Sequence, residues 1–101
     1  MITAFAAYCR DGPDAPRLRE EHLRAHLDHV ERHMDRLLVA GPLKDESGAF
    51  TGSLILFGVS SATEARALIG ADPYFDAGVW SEVRIERFLA VAGHWVGGKA
   101  W

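Results

Sequence analysis

Residues 18–43 read LREEHLRAHLDHVERHMDRLLVAGPL, and the fold turns on how this stretch divides. Its first part carries four of the five histidines, His22, His26, His29 and His33, spaced by four, three and four residues. Such residues are surface neighbours on an α-helix. At roughly 100° per residue the four imidazoles share a sector roughly 60° wide. Leu23, Leu27, Val30 and Met34 fall in a separate sector roughly 100° away, the natural core face. The spacing therefore predicts a helix over residues 17–36, ending near Asp35, with a histidine border between its core face and its charged face. The apolar run 36–40, closed by Gly41-Pro42, suits a strand, although periodicity alone also allows the helix to continue.

Outward from this stretch, residues 2–9 mix β-branched and aromatic side chains without helical spacing and predict a first strand. Residues 10–16 collect Gly, Pro and Asp and read as a loop. Residues 43–48 are turn-like, and 50–60 contain the wholly apolar run Leu54-Ile55-Leu56-Phe57, the pattern of a strand buried on both faces. Ser61 or Ser60 is a fitting N-cap for a helix to Gly70, with Glu64 in its first turn. Residues 71–75 form a sharp connector, with room for one helical turn to Ala77. A last strand lies within 79–91, with Val83, Ile85 and Arg87 on one face and Arg84, Glu86 and Phe88 on the other. The tail carries Trp95 and Trp101 and should pack on this subunit or on another.

The order β-α-β-β-α-β describes an α+β, ferredoxin-like fold: a four-stranded antiparallel sheet with helices on one face. The second face needs cover, and a sheet-on-sheet homodimer, a dimeric α+β barrel-type assembly, supplies it.

The 101 residues fit one domain, residues 1–101. A hydrophobic share of 49% with 25% charged residues is that of a soluble globular chain. A net charge of -3 and a pI near 5.9 argue against nucleic acid as a partner. No apolar run reaches membrane-spanning length, and the N-terminus lacks the charged start of a signal peptide. The single cysteine, Cys9, fits a reducing, cytoplasmic setting and a role as a small apolar filler rather than a catalytic thiol.

Three segments, HLDHVERHMDRLLVAGPL (26–43), FTGSLILF (50–57) and ADPYFDAGVWSEVRIERF (71–88), together resemble the YCII-related (YciI-like) family. The resemblance implies a small dimeric ferredoxin-like protein, akin in architecture to muconolactone isomerases and small antibiotic-biosynthesis monooxygenases. Most members have no assigned activity; one branch resembles enzymes that dehydrochlorinate chlorinated hydroxyhydroquinones, with a histidine–aspartate pair proposed to do the chemistry. On this resemblance the family histidine is His26, fifteen residues before Gly41. His22 is the alternative, because Arg19-Glu-Glu-His22-Leu23 reproduces the local motif. The aspartate is Asp72, and Ser53 follows the family glycine at Gly52.

An imidazole that titrates near neutrality can take and give a proton. Asp72 would fix its tautomer, while an Asp before Pro is equally a good N-cap. Ser53 could donate to a substrate oxygen, and Tyr74 would wall the pocket. Gly41, Gly52 and Gly78 read as backbone requirements. The His22/His26 and His29/His33 pairs have the i,i+4 spacing of zinc ligands, but two imidazoles without a third ligand bind weakly, and no metal is expected. No phosphate-cradling glycine motif points to an organic cofactor. The expected activity is proton transfer on a small cyclic oxygenated compound, by isomerisation, tautomerisation or elimination. The alternative is a non-catalytic small-ligand-binding or accessory module.

Overall fold

Small and aromatic residues alternate in β1 (Ile2–Asp11), which sends Phe5, Ala7 and Cys9 into the core. The computed structural model describes residues 2–101. In chain order β1 is followed by α1 (Ala15–Glu21), α2 (Leu23–Arg32), β2 (Leu37–Lys44), β3 (Phe50–Phe57), α3 (Ala62–Gly70), α4 (Pro73–Ala77) and β4 (Trp80–Ala90). The strands pair antiparallel in the order β2-β3-β1-β4. That is the ferredoxin-like α+β fold. Ile55 and Phe57 of β3 join the β1 side chains beneath Ala15 of α1 and Ala65, Leu68 and Ile69 of α3.

Local chemistry explains the boundaries. Ser61 Oγ accepts the Glu64 N–H at 3.1 Å and starts α3. Asp72 caps α4 by accepting the Tyr74 N–H at 2.9 Å, and Gly78, at φ +81°, ends that helix in the left-handed region. β2 continues through Gly41-Pro42 to Lys44, beyond the expected end at Ala40. It can do so because β2 is an edge strand, where the N–H that proline lacks has no ladder partner to lose. Gly52 lies opposite Arg10, and a Cβ there would collide with the Cys9 carbonyl oxygen, so the close approach of β3 to β1 requires glycine.

The long helix is not continuous. His22 (φ -108°, ψ 11°) ends α1 and begins α2, and a 3₁₀ turn, Met34–Arg36, replaces the expected last helical turn. No Gly or Pro marks the break, so periodicity passes straight over it. The expected core face is also rotated toward the histidines: Leu23 and Met34 are exposed, whereas His29 is buried. The polar ring is tolerated inside because His29 Nε2–H donates to the Leu68 carbonyl at 3.0 Å.

The 54–57 run is not buried on both faces within one chain. Ile55 and Phe57 point to the helices, while Leu54 is exposed on the opposite face beside Tyr8, with Phe88 further along that face. Ile85 pairs with Ala7 and packs against the core, on the helical side of the sheet. The tail folds as a short ribbon of β5 (Ala92–Gly93) and β6 (Gly98–Lys99) around a 3₁₀ turn. Trp95 and Trp101 remain 83% and 76% exposed, so neither packs on its own subunit.

Candidate functional site

The cap of α4 is also the floor of the site. Asp72 is almost wholly buried, and its two carboxylate oxygens each lie 2.9 Å from His26 Nδ1. Both structural and functional readings of Asp72 thus meet in one carboxylate, with Oδ1 shared between the Tyr74 N–H and the imidazole. Because the carboxylate accepts from Nδ1–H, Nε2 is the nitrogen left to take a proton. The ring is held flat against Tyr74, with centroids 3.9 Å apart and planes 3° from parallel. Tyr74 is locked in turn by its hydroxyl, which donates to the Arg19 carbonyl at 3.0 Å. Tyr74 therefore supplies a wall and a stacking platform. Burial pushes its phenol above the usual value, with the Arg19 charge partly opposing, so it stays protonated.

His22 takes no part in this cluster. It is partly exposed at the α1–α2 junction, with Nε2 3.9 Å from Glu21. Between the two sequence alternatives, His26 is the histidine that lies beside Asp72.

Arg19 lies seven residues before His26, across the break at His22, and borders the same two spaces. Its Nε and Nη2 donate to the two Asp11 oxygens at 2.9 Å each, and Nη2 also reaches Gly52 O at 3.0 Å and Ser53 Oγ at 3.1 Å. Ser53 is buried and accepts from Arg19, which leaves its own hydroxyl hydrogen free to donate. Sequence reasoning missed Arg19 and Asp11 as site residues. The seven-residue spacing of Arg19 from His26 was the available signal, whereas nothing local in the chain marks Asp11.

Two spaces meet at these residues. An inner cavity of about 230 Å³ runs under α2, with Leu27, Val30, Ile55, Phe57 and Leu68 as apolar walls and His29 and His33 also lining it. An outer cleft of about 640 Å³ opens between α1 and the β2–β3 turn, where Phe50 stands. Arg19, His26, Leu27 and Pro42 border both and form the waist between them. Burial holds the His29 imidazole below its ordinary value, with Asp72 partly opposing, so this second imidazole stays neutral. Burial likewise pushes the Cys9 thiol up to about 12, which leaves no thiolate for nucleophilic attack. Among the described residues no group of three or more His, Cys, Asp or Glu side chains is arranged to hold a metal ion. No helix among them is long and apolar enough to cross a membrane.

The profile of the YCII-related domain matches residues 3–89. The chain belongs to the YCII-related family. Protein YciI of Escherichia coli O6:H1 is 35% identical over 95 residues, covering 86% of this chain and 97% of that protein. An uncharacterized protein of Haemophilus influenzae is 35% identical over 80 residues, covering 73% of this chain and 80% of its own length. Among solved structures, this YCII-related chain is similar to 5-chloro-2-hydroxyhydroquinone dehydrochlorinase (TftG) from Burkholderia phenoliruptrix AC1100, in complex with 2,5-dihydroxybenzoquinone. The TM-score is 0.77 at 25% identity, over 90% of this chain and 96% of that one.

Proposed function

We propose that this YCII-related protein is a cofactor-independent enzyme that moves protons on a small, single-ring oxygenated compound, with His26 as acid/base and Asp72 as its orienting partner. The observation that carries the reading is the His26–Asp72 contact at the waist between a small, largely apolar cavity and an open cleft. The cavity's volume falls short of the roughly 300–1,000 Å³ of pockets for drug-sized ligands and suits one ring. The likeness to a dehydrochlorinase supports elimination of HCl from a chlorinated hydroxyquinol as the reaction to test first.

The steps balance without an oxidant. His26 Nε2 takes a hydroxyl proton as the ring electrons shift. The proton is returned to the chlorine-bearing carbon, giving a keto tautomer. A second hydroxyl proton is lost as chloride leaves with the C–Cl electron pair, and a hydroxyquinone remains. Ser53 donates to a ring oxygen, and Tyr74 holds the imidazole. The site is proposed to work in a cytoplasmic homodimer joined through the exposed sheet face, which carries Tyr8, Leu54 and Phe88.

The test pairs binding with turnover. Wild-type protein should bind 2,5-dihydroxybenzoquinone and also release chloride from 5-chloro-2-hydroxyhydroquinone well above the uncatalysed rate. Binding with no chloride release, and no proton exchange on related quinols, would leave the ligand-binding module as the better reading.

A further inference from the structure

Arg19 is held by four hydrogen bonds and still keeps one nitrogen without a partner among the described residues. Its side chain is only 13% exposed, yet the contacts that fix it engage Nε and Nη2 and leave Nη1 out. Nε and Nη2 serve Asp11, Gly52 O and Ser53 Oγ, while among the described residues Nη1 has no hydrogen-bond partner. The group is further fixed by two aromatic rings, with Cζ 5.1 Å from the Phe50 centroid and 5.6 Å from that of Tyr74. A nearly buried guanidinium that is rigidly held and still has two free N–H donors is arranged to meet an acceptor from outside the chain. Arg19 borders both the inner cavity and the outer cleft, as His26 does.

Charge narrows the acceptor. Asp11, Glu20 and Asp72 face Arg19 and Lys44 around the site, so an anionic oxygen there is held by directed donors rather than by a net positive field. The proton that leaves the ligand stays on His26, the total charge is unchanged, and only the position of the negative charge must be stabilised. Fixed donors in a site shielded from water do that well, because they need no reorganisation as the charge develops.

We propose that Arg19 is the oxyanion anchor of this site: its unengaged Nη1 takes the oxygen from which His26 removes a proton. This confines the substrate class to phenols, enols and quinoid tautomers with an acidic hydroxyl. The proposal deepens the reading above and rests on its placement of the site at His26. Asp11 is a positioning residue that aims the guanidinium.

Isothermal titration near neutral pH tests this with 2,5-dihydroxybenzoquinone, which carries acidic hydroxyls, against hydroquinone, whose hydroxyls stay protonated. Wild type should favour the acidic ligand. The double variant Asp11→Asn/Arg19→Gln, which removes both partners of the buried pair together, should lose about tenfold to hundredfold of that preference, the contribution of a charge-assisted hydrogen bond. If that variant does not fold, Arg19→Lys decides, because it keeps the charge toward Asp11 but has no second nitrogen; several-fold loss of preference is expected. Equal wild-type affinity for the two ligands, or an unchanged preference in the folded variant, overturns the proposal. His26→Gln should keep the preference, so a failure of proton transfer and a failure of the anchor are told apart.

Discussion

Replacing Asp72 is expected to separate catalysis from stability, depending on the residue introduced. Asp72→Asn keeps a carbonyl oxygen to cap the Tyr74 N–H, so α4 should survive with a loss of roughly 1 kcal/mol. Its amide NH₂ would then face His26 Nδ1, and a donor there favours the tautomer protonated on Nε2. That tautomer lacks the basic nitrogen, and turnover should fall by roughly 10²–10⁴. Asp72→Ala removes the cap, worth about 0.5–2 kcal/mol. It also strands the His26 Nδ1–H in a partly buried site, at about 1–3 kcal/mol. In a domain of this size each kcal/mol moves the melting temperature by about 4–8 °C. Thermal melts and chloride-release rates on both variants check this. An Asn variant that turns over within threefold of wild type would show that Asp72 only caps the helix.

The second large effect concerns assembly. One chain leaves Tyr8, Leu54 and Phe88 on a sheet face with no helices, with Arg84 stacked 5.5 Å over Tyr8. Trp95 also borders a groove at the edge of that face, together with Ile2, Leu56 and Phe88. An apolar area of this extent on a small domain calls for a partner, and a second copy meeting it face to face satisfies both subunits at once. The interface should bury around 2,000 Å² or more. Leu54→Glu would place two carboxylates in that interface and should give an unfolded chain or a weakly stable monomer. Ile85 is the wrong position for this experiment, because it faces the helices. Sedimentation of wild type as a well-folded monomer at micromolar concentration would refute the dimer.

Much of the fold was legible because most elements carried a local signal, although nothing local marks the α1–α2 break at His22. Ser61 with Glu64 announced α3, Asp72-Pro73 announced α4, and the apolar 54–57 run announced a central strand. What failed was the prediction of which side of an element faces inward. The stripe Leu23-Leu27-Val30-Met34 looked like the buried face, but the cavity beneath α2 takes imidazoles. His29 is buried because Leu68, far away in sequence, offers its carbonyl. His26 and Asp72 could be paired from sequence only through a family likeness, since 46 residues separate them. The bidentate Arg19–Asp11 pair links the end of β1 to α1, and either residue alone reads as an ordinary surface charge.

In the proposed mechanism His26 carries the proton while the rest of the site binds the ligand. The most direct test is a side-by-side measurement on His26→Gln of the dissociation constant for 2,5-dihydroxybenzoquinone and of chloride release from 5-chloro-2-hydroxyhydroquinone. Glutamine preserves most of the side chain's bulk and can still meet Asp72 with its amide, but it cannot accept a proton near neutral pH. Affinity should stay within a few-fold of wild type while chloride release drops by roughly 10²–10⁴. Chloride release at the wild-type rate in this variant would show that His26 does not carry the proton.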